Sequence, residues 1–204
     1  MAYNSYNNLK KVIDKFNLKV ENQDLFQESD IKRIEPSEWL KTSIEKAEKL
    51  GFGSEKERSE RLISPILTEL AQINNHQITI YSGRKLDIDK DFSGEIDYLI
   101  ALGHKVVDFF DAPLFSVAEA KNEDMTSGIA KCTVQMMGAI QYNKLDGIEL
   151  PYIYGVATEG EKWRFLKFEN KTLTIHQPYY YLSNLPLLLG VFAHLIDDCR
   201  TFKI

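Results

Sequence analysis

The hydrophobic pattern of the chain changes from a helical to an extended period near residue 75, and this change constrains the fold most. Before it, apolar residues recur at the three- and four-residue spacing of amphipathic helices. After it come short segments of extended character, interrupted by one helical segment. Helices and strands in this order predict an α/β or α+β domain built around a mixed central sheet that is flanked by helices.

Capping residues set the bounds of the predicted helices. Pro36 followed by Ser37 is typical of the start of one helix and Gly51 of its end, and Ser54 can cap the start of the next helix. Pro65 is expected to kink that second helix, and residues 17–35 are expected to be irregular. The predicted helices cover residues 9–16, 37–50, 55–72, 126–142 and 183–199. The predicted strands cover residues 77–81, 94–101, 114–121, 152–157, 163–168 and 173–176.

Length and composition fit one soluble domain with a small appendage. The 204 residues are 44% hydrophobic, which is enough to build a core and excludes a disordered chain. We predict an N-terminal helical extension over residues 1–53 and a main domain over 54–204. Free cysteines, the lack of a signal sequence and an apolar stretch too short to span a bilayer predict a cytoplasmic protein without a membrane partner.

The formal net charge of −5 argues against a protein that coats nucleic acid through bulk charge. The acidic excess is concentrated in residues 51–121, which carry twelve acidic and eight basic side chains. Two explanations fit this pattern equally well: chance variation on a solvated surface, or a functional role for some of these carboxylates.

Three charged residues stand in otherwise apolar predicted strands. Glu119 and Lys121 are two residues apart and project to the same side of a strand, and Asp97 lies in the preceding strand. If these strands pair, Asp97 and Glu119 converge, and two carboxylates form a site that Mg²⁺ or Mn²⁺ prefers. Lys121 would orient the attacking water or stabilise the developing charge. The alternative is a salt bridge between Lys121 and either carboxylate.

A second Glu-x-Lys sequence, Glu169-Asn170-Lys171, shows that the tripeptide alone carries no information, because it falls in a predicted turn. Basic residues near Trp163, including Lys162 and Arg164, are expected on a solvated edge strand, with contact to a phosphate backbone as the alternative. The run Tyr179-Tyr180-Tyr181 is expected to be a packed aromatic cluster, with stacking on bases as the alternative.

Two segments, Gly94-Glu95-Ile96-Asp97-Tyr98 and Val117-Ala118-Glu119-Ala120-Lys121-Asn122, resemble the PD-(D/E)XK nuclease superfamily, which has the restriction-endonuclease-like fold. The similarity is to the N-terminal nuclease domain of type I restriction R subunits and to small stand-alone bacterial relatives. It covers about residues 55–170, and the helix over 54–67 resembles the first core helix of the family. One departure is Ile96, which stands where the family has proline.

The resemblance implies that Asp97 and Glu119 are metal ligands and that Lys121 is the catalytic lysine. It also implies a helical acid. Glu55 lies nearest the apolar helix face, Glu60 lies at its flank and Glu57 points away, so Glu55 is preferred and Glu60 is second. A glutamine on the helix after the lysine assists in the R subunits, and Gln135 is the candidate here, with Lys131 and Gln141 as rivals.

These features predict a metal-dependent endonuclease that hydrolyses phosphodiester bonds of DNA with Mg²⁺ or Mn²⁺, within a restriction or defence system. The alternative is a catalytically inactive interaction module on the same fold. A homodimer, or a partner protein bound through the N-terminal helices, is compatible with either function.

Overall fold

The computed structural model describes residues 3–103, 110, 114–119 and 124–202, with the backbone alone for 115–119. The chain has an α+β architecture, which confirms the predicted fold class. Its helices are α1 (Leu9–Phe16), α2 (Glu38–Leu50), α3 (Glu55–Arg58), α4 (Ser64–Ile73), α5 (Met125–Leu145) and α6 (Leu185–Cys199). Its strands are β1 (Lys19–Asn22), β2 (Ile78–Asp87), β3 (Ser93–Leu102), β4 (Leu114–Glu119), β5 (Ile153–Thr158), β6 (Lys162–Glu169), β7 (Thr172–Ile175) and β8 (Tyr180–Tyr181).

The strands form one mixed sheet, as predicted. Seven of them follow the order β1-β7-β6-β5-β4-β3-β2, and the short β8 pairs with β6. The pairs β1–β7 and β4–β5 are parallel, and the other pairs are antiparallel. Because adjacent parallel strands need a crossover, α5 carries the chain from the carboxyl end of β4 back to the start of β5.

The two faces of the sheet are covered by different helices. Gly155 of β5 lies against α5, because a Cβ added there would be 2.4 Å from Met136 Sδ and 2.7 Å from Cys132 Sγ. On the opposite face, the rings of Trp163 and Phe192 meet edge to face at 5.6 Å, so α6 covers the other side of β6. This arrangement places the core on both sides of the central strands.

Gly51 and Ser54 cap helices as predicted. The side chain of Ser37 accepts a hydrogen bond from the Leu40 N–H, and Gly51 ends α2. Ser54 and Glu57 form a capping box at the start of α3. The irregularity expected at Pro65 lies before that residue, in a π-helical segment (Ser59–Ile63) in which the Ser64 N–H bonds to the Ser59 carbonyl.

Residues 17–35 are more regular than predicted, because β1 adds to the sheet beside β7. The predicted N-terminal extension also shares its core with the rest of the chain. Glu69 of α4 accepts hydrogen bonds from the backbone and the hydroxyl of Ser37 at 2.7 and 2.8 Å. The Ile34 N–H donates to the Pro186 carbonyl at 2.9 Å. The boundary between residues 53 and 54 remains a prediction.

One apolar helical segment among the described residues, Leu182–Cys199, is long enough to cross a bilayer, and half of it is buried inside the protein. It contains α6, whose Phe192 packs against Trp163 and Phe165 of the sheet. Because the core helix of a soluble protein has the same length and composition, we interpret α6 as a core helix.

His176 is a buried structural residue at the end of β7. Its side chain has no exposed surface, and the Leu25 N–H donates to its Nδ1 at 3.0 Å. Its Nε2 lies 2.9 Å from the Tyr180 hydroxyl. Burial lowers the pKa of His176 to about 4, and an Nδ1 that accepts a backbone hydrogen bond is available only in the neutral ring.

This environment predicts a loss of stability in acid. Since the pKa of His176 is lower in the folded state than in the unfolded state, the unfolded chain binds more protons as the pH falls through about 6.5 towards 4. The free energy of unfolding should therefore fall by roughly 2 to 3 kcal/mol across that range from this group. Urea unfolding at several pH values measures it. His176→Gln should flatten the dependence, and the exposed His76→Asn should not; equal curves for all three proteins would contradict the assignment.

Candidate functional site

Asp97 lies in β3 at the point where the ladder between β3 and β4 ends. The last described pair of that ladder is Tyr98 with Val117. Beyond it β4 continues beside β5, where Glu119 pairs with Thr158. The backbones of Asp97 and Glu119 therefore lie just past the end of the same ladder.

The predicted convergence of three side chains is only partly described. Glu119 is known by its backbone alone, and Lys121 lies outside the described residues. The roles of both residues stay predictions. Asp97 is the member of the predicted triad whose side chain is described.

The side chain of Asp97 is held by α5. Lys131 Nζ donates to Asp97 Oδ2 at 2.8 Å, and the two side chains are 10% and 23% exposed. Lys131 is therefore a buried ammonium group paired with a partly buried carboxylate. From the sequence, Lys131 is predicted only as a rival of Gln135. Lys131 is the sole charged residue between Met125 and Asn143, in a helix rich in apolar residues. This isolation is the sequence signal from which its inward position could have been predicted.

A cleft of about 550 Å³ opens between residues 55–64, which cover α3 and the π-helical segment, and strands β2 and β3. Four carboxylates line it, together with one lysine, and hydroxyl groups supply most of the remaining polar surface. Its lining residues are Glu55, Lys56, Ser59, Glu60, Ser64, Ser82, Gly83, Glu95, Asp97 and Tyr98. The cleft therefore offers oxygen ligands and a local negative charge.

The edge strand β2 is distorted beside Asp97. Ser82 pairs with Tyr98 and Arg84 with Ile96, so Gly83 lies opposite Asp97. Gly83 has φ +62, a left-handed conformation that glycine adopts without steric cost. Because Gly83 has no side chain, the cleft stays open at this edge.

The three helical acids occupy different positions. Glu55 and Glu60 both line the cleft with Asp97. Glu60 is 64% exposed and lies 3.8 Å from Lys56. Glu57 accepts hydrogen bonds from the Gly53 and Ser54 N–H groups and pairs with Arg61, and the Gly53 N–H holds the pKa of Glu57 below its usual range. Glu57 is thus used in capping the helix.

The π-helical segment between α3 and α4 is hydrogen-bonded to β3. The hydroxyls of Ser59 and Tyr98 are 2.7 Å apart, and the Tyr98 hydroxyl donates to the Ser59 carbonyl at 3.1 Å. Single-turn π segments occur often at functional sites. This contact fixes the position of Glu55 and Glu60 relative to the strand that carries Asp97.

Gln135 lies one helical turn beyond Lys131 on α5. It has no exposed surface, and within the described part of the chain neither its Oε1 nor its Nε2 has a hydrogen-bond partner. A buried amide without a partner is costly and rare in folded proteins. The rival Gln141 is exposed on the same helix. Gln135 is therefore the residue of the two whose environment needs a further polar partner.

No group of three or more His, Cys, Asp or Glu side chains that could hold a metal occurs among the described residues. The predicted ligand pair is smaller than such a group, and one of its members, Glu119, has no described side chain. Comparisons with family models, curated proteins and solved structures found no match to the chain.

Proposed function

We propose that the protein is a metal-dependent endonuclease that hydrolyses phosphodiester bonds of DNA, in a cytoplasmic restriction or defence system. The observation that carries the proposal is the position of Asp97, which lies past the end of the β3–β4 ladder in a cleft shared with Glu55 and Glu60. The same end of β4 carries Glu119.

The order of elements supports the same function. Residues 55–158 run through the first core helix, the antiparallel strands β2, β3 and β4, the crossover helix α5 and the parallel strand β5. The hydrophobic pattern predicts this order, and the resemblance to the PD-(D/E)XK superfamily covers these residues. Because one fold hosts many functions, the residues of the site support the function more strongly than the topology does.

Mg²⁺ or Mn²⁺ fits the side chains of the cleft, since they offer carboxylate and hydroxyl oxygens and neither thiol nor imidazole groups. Asp97 and Glu119 would hold the ion. When bound, such an ion polarises a phosphodiester and lowers the pKa of a coordinated water.

The remaining roles fall to side chains of the chain itself. Lys131 fixes the Asp97 carboxylate at 2.8 Å, so that its second oxygen keeps a defined direction. Lys121 would stabilise negative charge that develops on the phosphate. The unpaired amide of Gln135, which is buried near Lys131 on the same helix, would bind a water molecule or a substrate oxygen.

The Asp97–Lys131 salt bridge also favours the second candidate, a catalytically inactive interaction module. A carboxylate whose charge is already compensated by an ammonium group attracts a cation less strongly. In this case the pair would stabilise the fold, and the N-terminal helices would be the expected contact with a partner or a second copy.

DNA cleavage separates the two candidates. Wild-type protein with linear and supercoiled DNA should cleave in Mg²⁺ or Mn²⁺, and EDTA should stop the reaction. Asp97→Asn, purified in the same way, should be inactive. Wild-type protein that cleaves neither DNA nor RNA with either metal would contradict the nuclease and favour the interaction module.

A further inference from the structure

Two basic and two aromatic side chains form a cluster on β6 and β8, which we call the β6 cluster: Lys162, Arg164, Tyr179 and Tyr181. Lys162 Nζ lies 3.9 Å, and Arg164 Cζ 4.1 Å, from the centre of the Tyr179 ring. Tyr181 pairs with Lys162 across the β6–β8 ladder and is 48% exposed. The structure thus joins basic residues and tyrosines that are fifteen or more positions apart in sequence.

The β6 cluster lies on the α5 face of the sheet, at the same end as Asp97. Position 118 of β4 pairs with Ala157 of β5, and Ala157 pairs with Arg164 of β6. Asp97 is one residue beyond the Tyr98–Val117 pair, which places it beside position 118. Three strand spacings, about 14 Å, therefore separate Asp97 from Arg164.

The charges of the β6 cluster are not compensated by acids. Neither Lys162 nor Arg164 makes a salt bridge within the part of the chain that the structure describes, although Glu159 and Glu161 lie in the adjoining turn. The buried Nε of Arg164 has no hydrogen-bond partner among the described residues. A guanidinium beside an ammonium group, neither of them paired with an acidic side chain that the structure describes, is suited to bind phosphate oxygens.

We propose that the β6 cluster binds an unpaired DNA strand beside the site, with Lys162 and Arg164 on its phosphates and a base stacked on the exposed ring of Tyr181. Stacking on Tyr181 needs a base that is not already paired, which selects a single strand. The choice of DNA as the ligand rests on the proposed function. The overall charge of −5 confines phosphate binding to such local groups of unpaired cations.

Fluorescence anisotropy with a labelled single-stranded DNA 20-mer in EDTA tests the inference, because binding is then measured without cleavage. Lys162→Gln/Arg164→Gln should weaken binding at least tenfold and reduce the slope of log Kd against log salt by about 1.4, or 0.7 for each lost phosphate contact. Tyr181→Ala should weaken binding of the single strand about fivefold or more, and leave binding of a duplex of the same sequence nearly unchanged.

The matched control is Lys19→Gln/Lys171→Gln, which removes the same charge at the opposite end of β6. The Lys19 N–H bonds to the Lys171 carbonyl, so these residues are neighbours as the two cations of the β6 cluster are. This control should bind within about twofold of wild type. The inference is overturned if cluster variants with native circular dichroism bind as wild type does, or if the control loses as much affinity as they do.

The same data keep this inference separate from the proposed activity. If the wild type cuts DNA and the cluster variants bind DNA as tightly as it does, only the proposed role of the β6 cluster is contradicted. A wild type that binds through the cluster but cuts nothing in Mg²⁺ or Mn²⁺ would support the cluster and contradict the nuclease.

Discussion

Lys121→Asn is expected to lower the rate of Mg²⁺-dependent DNA cleavage by about a hundredfold to a thousandfold. The resemblance makes Lys121 the group that stabilises charge developing on the phosphate, and removing one such donor from an active site costs about this much in rate. Single-turnover cleavage of a labelled DNA substrate measures the effect, with thermal unfolding to show that the fold is intact.

The chain supplies its own control in the second Glu-x-Lys sequence. Lys171 lies in the turn between β6 and β7 with φ +63, a conformation that asparagine tolerates. Lys171→Asn makes the same chemical change outside the site and should cleave at the wild-type rate. Equal rates for Lys121→Asn and wild type would show that Lys121 is not catalytic.

Asp97→Leu is expected to destabilise the metal-free protein by about 2 to 3 kcal/mol, because it leaves the ammonium of Lys131 buried without its carboxylate. Lys131 is 10% exposed, so water replaces the lost partner only in part. Urea unfolding in EDTA measures the change in the free energy of unfolding.

Combining Asp97→Leu with Lys131→Met should recover most of that stability, since the double variant no longer buries the ammonium of Lys131 without its carboxylate. The exposed pair Lys10–Asp14 is the control. Its interaction free energy, measured with the same set of single and double variants, should stay below about 0.5 kcal/mol. If the double variant loses as much free energy of unfolding as the two single variants lose together, Lys131 and Asp97 do not stabilise each other.

Local chemistry made much of the helical part predictable. Ser37, Gly51 and Ser54 cap helices where the sequence places them, because their side chains or backbone freedom satisfy the ends of a helix. Pro65 is expected to kink the helix, and the structure has a π-helical segment just before it. The π-helical segment is accompanied by a hydrogen bond between Ser59 and Tyr98, which is 39 residues away and invisible to a local pattern.

The strands that the sequence pattern did not predict form by pairing with strands that are distant along the chain. β1 has no alternating apolar residues, and it forms because its backbone pairs with β7 about 150 residues later. β8 has two residues and depends on β6. The extension of β2 to Asp87 follows from its pairing with β3 through a polar segment that contains Gly83.

For the candidate site, the sequence predicted the types of residue better than it predicted their contacts. Asp97 and Glu55 stood out as acids beside apolar segments, and the structure places both in one cleft. The salt bridge of Asp97 with Lys131 needed the crossover of α5 over the sheet, which no spacing in the sequence reveals. The capping role of Glu57, by contrast, follows from its position three residues after Ser54.

A thermal-shift titration with Mg²⁺ and Mn²⁺ tests the central claim, which is that Asp97 and Glu119 form a metal site. Because a ligand that binds only the native state raises its stability, a metal concentration ten times the Kd should add about 1.4 kcal/mol, or roughly 3 to 5 °C in Tm. The shift should disappear in Asp97→Asn and Glu119→Gln and persist in Glu169→Gln. A wild type without a shift, or an undiminished shift in Asp97→Asn, would contradict the account.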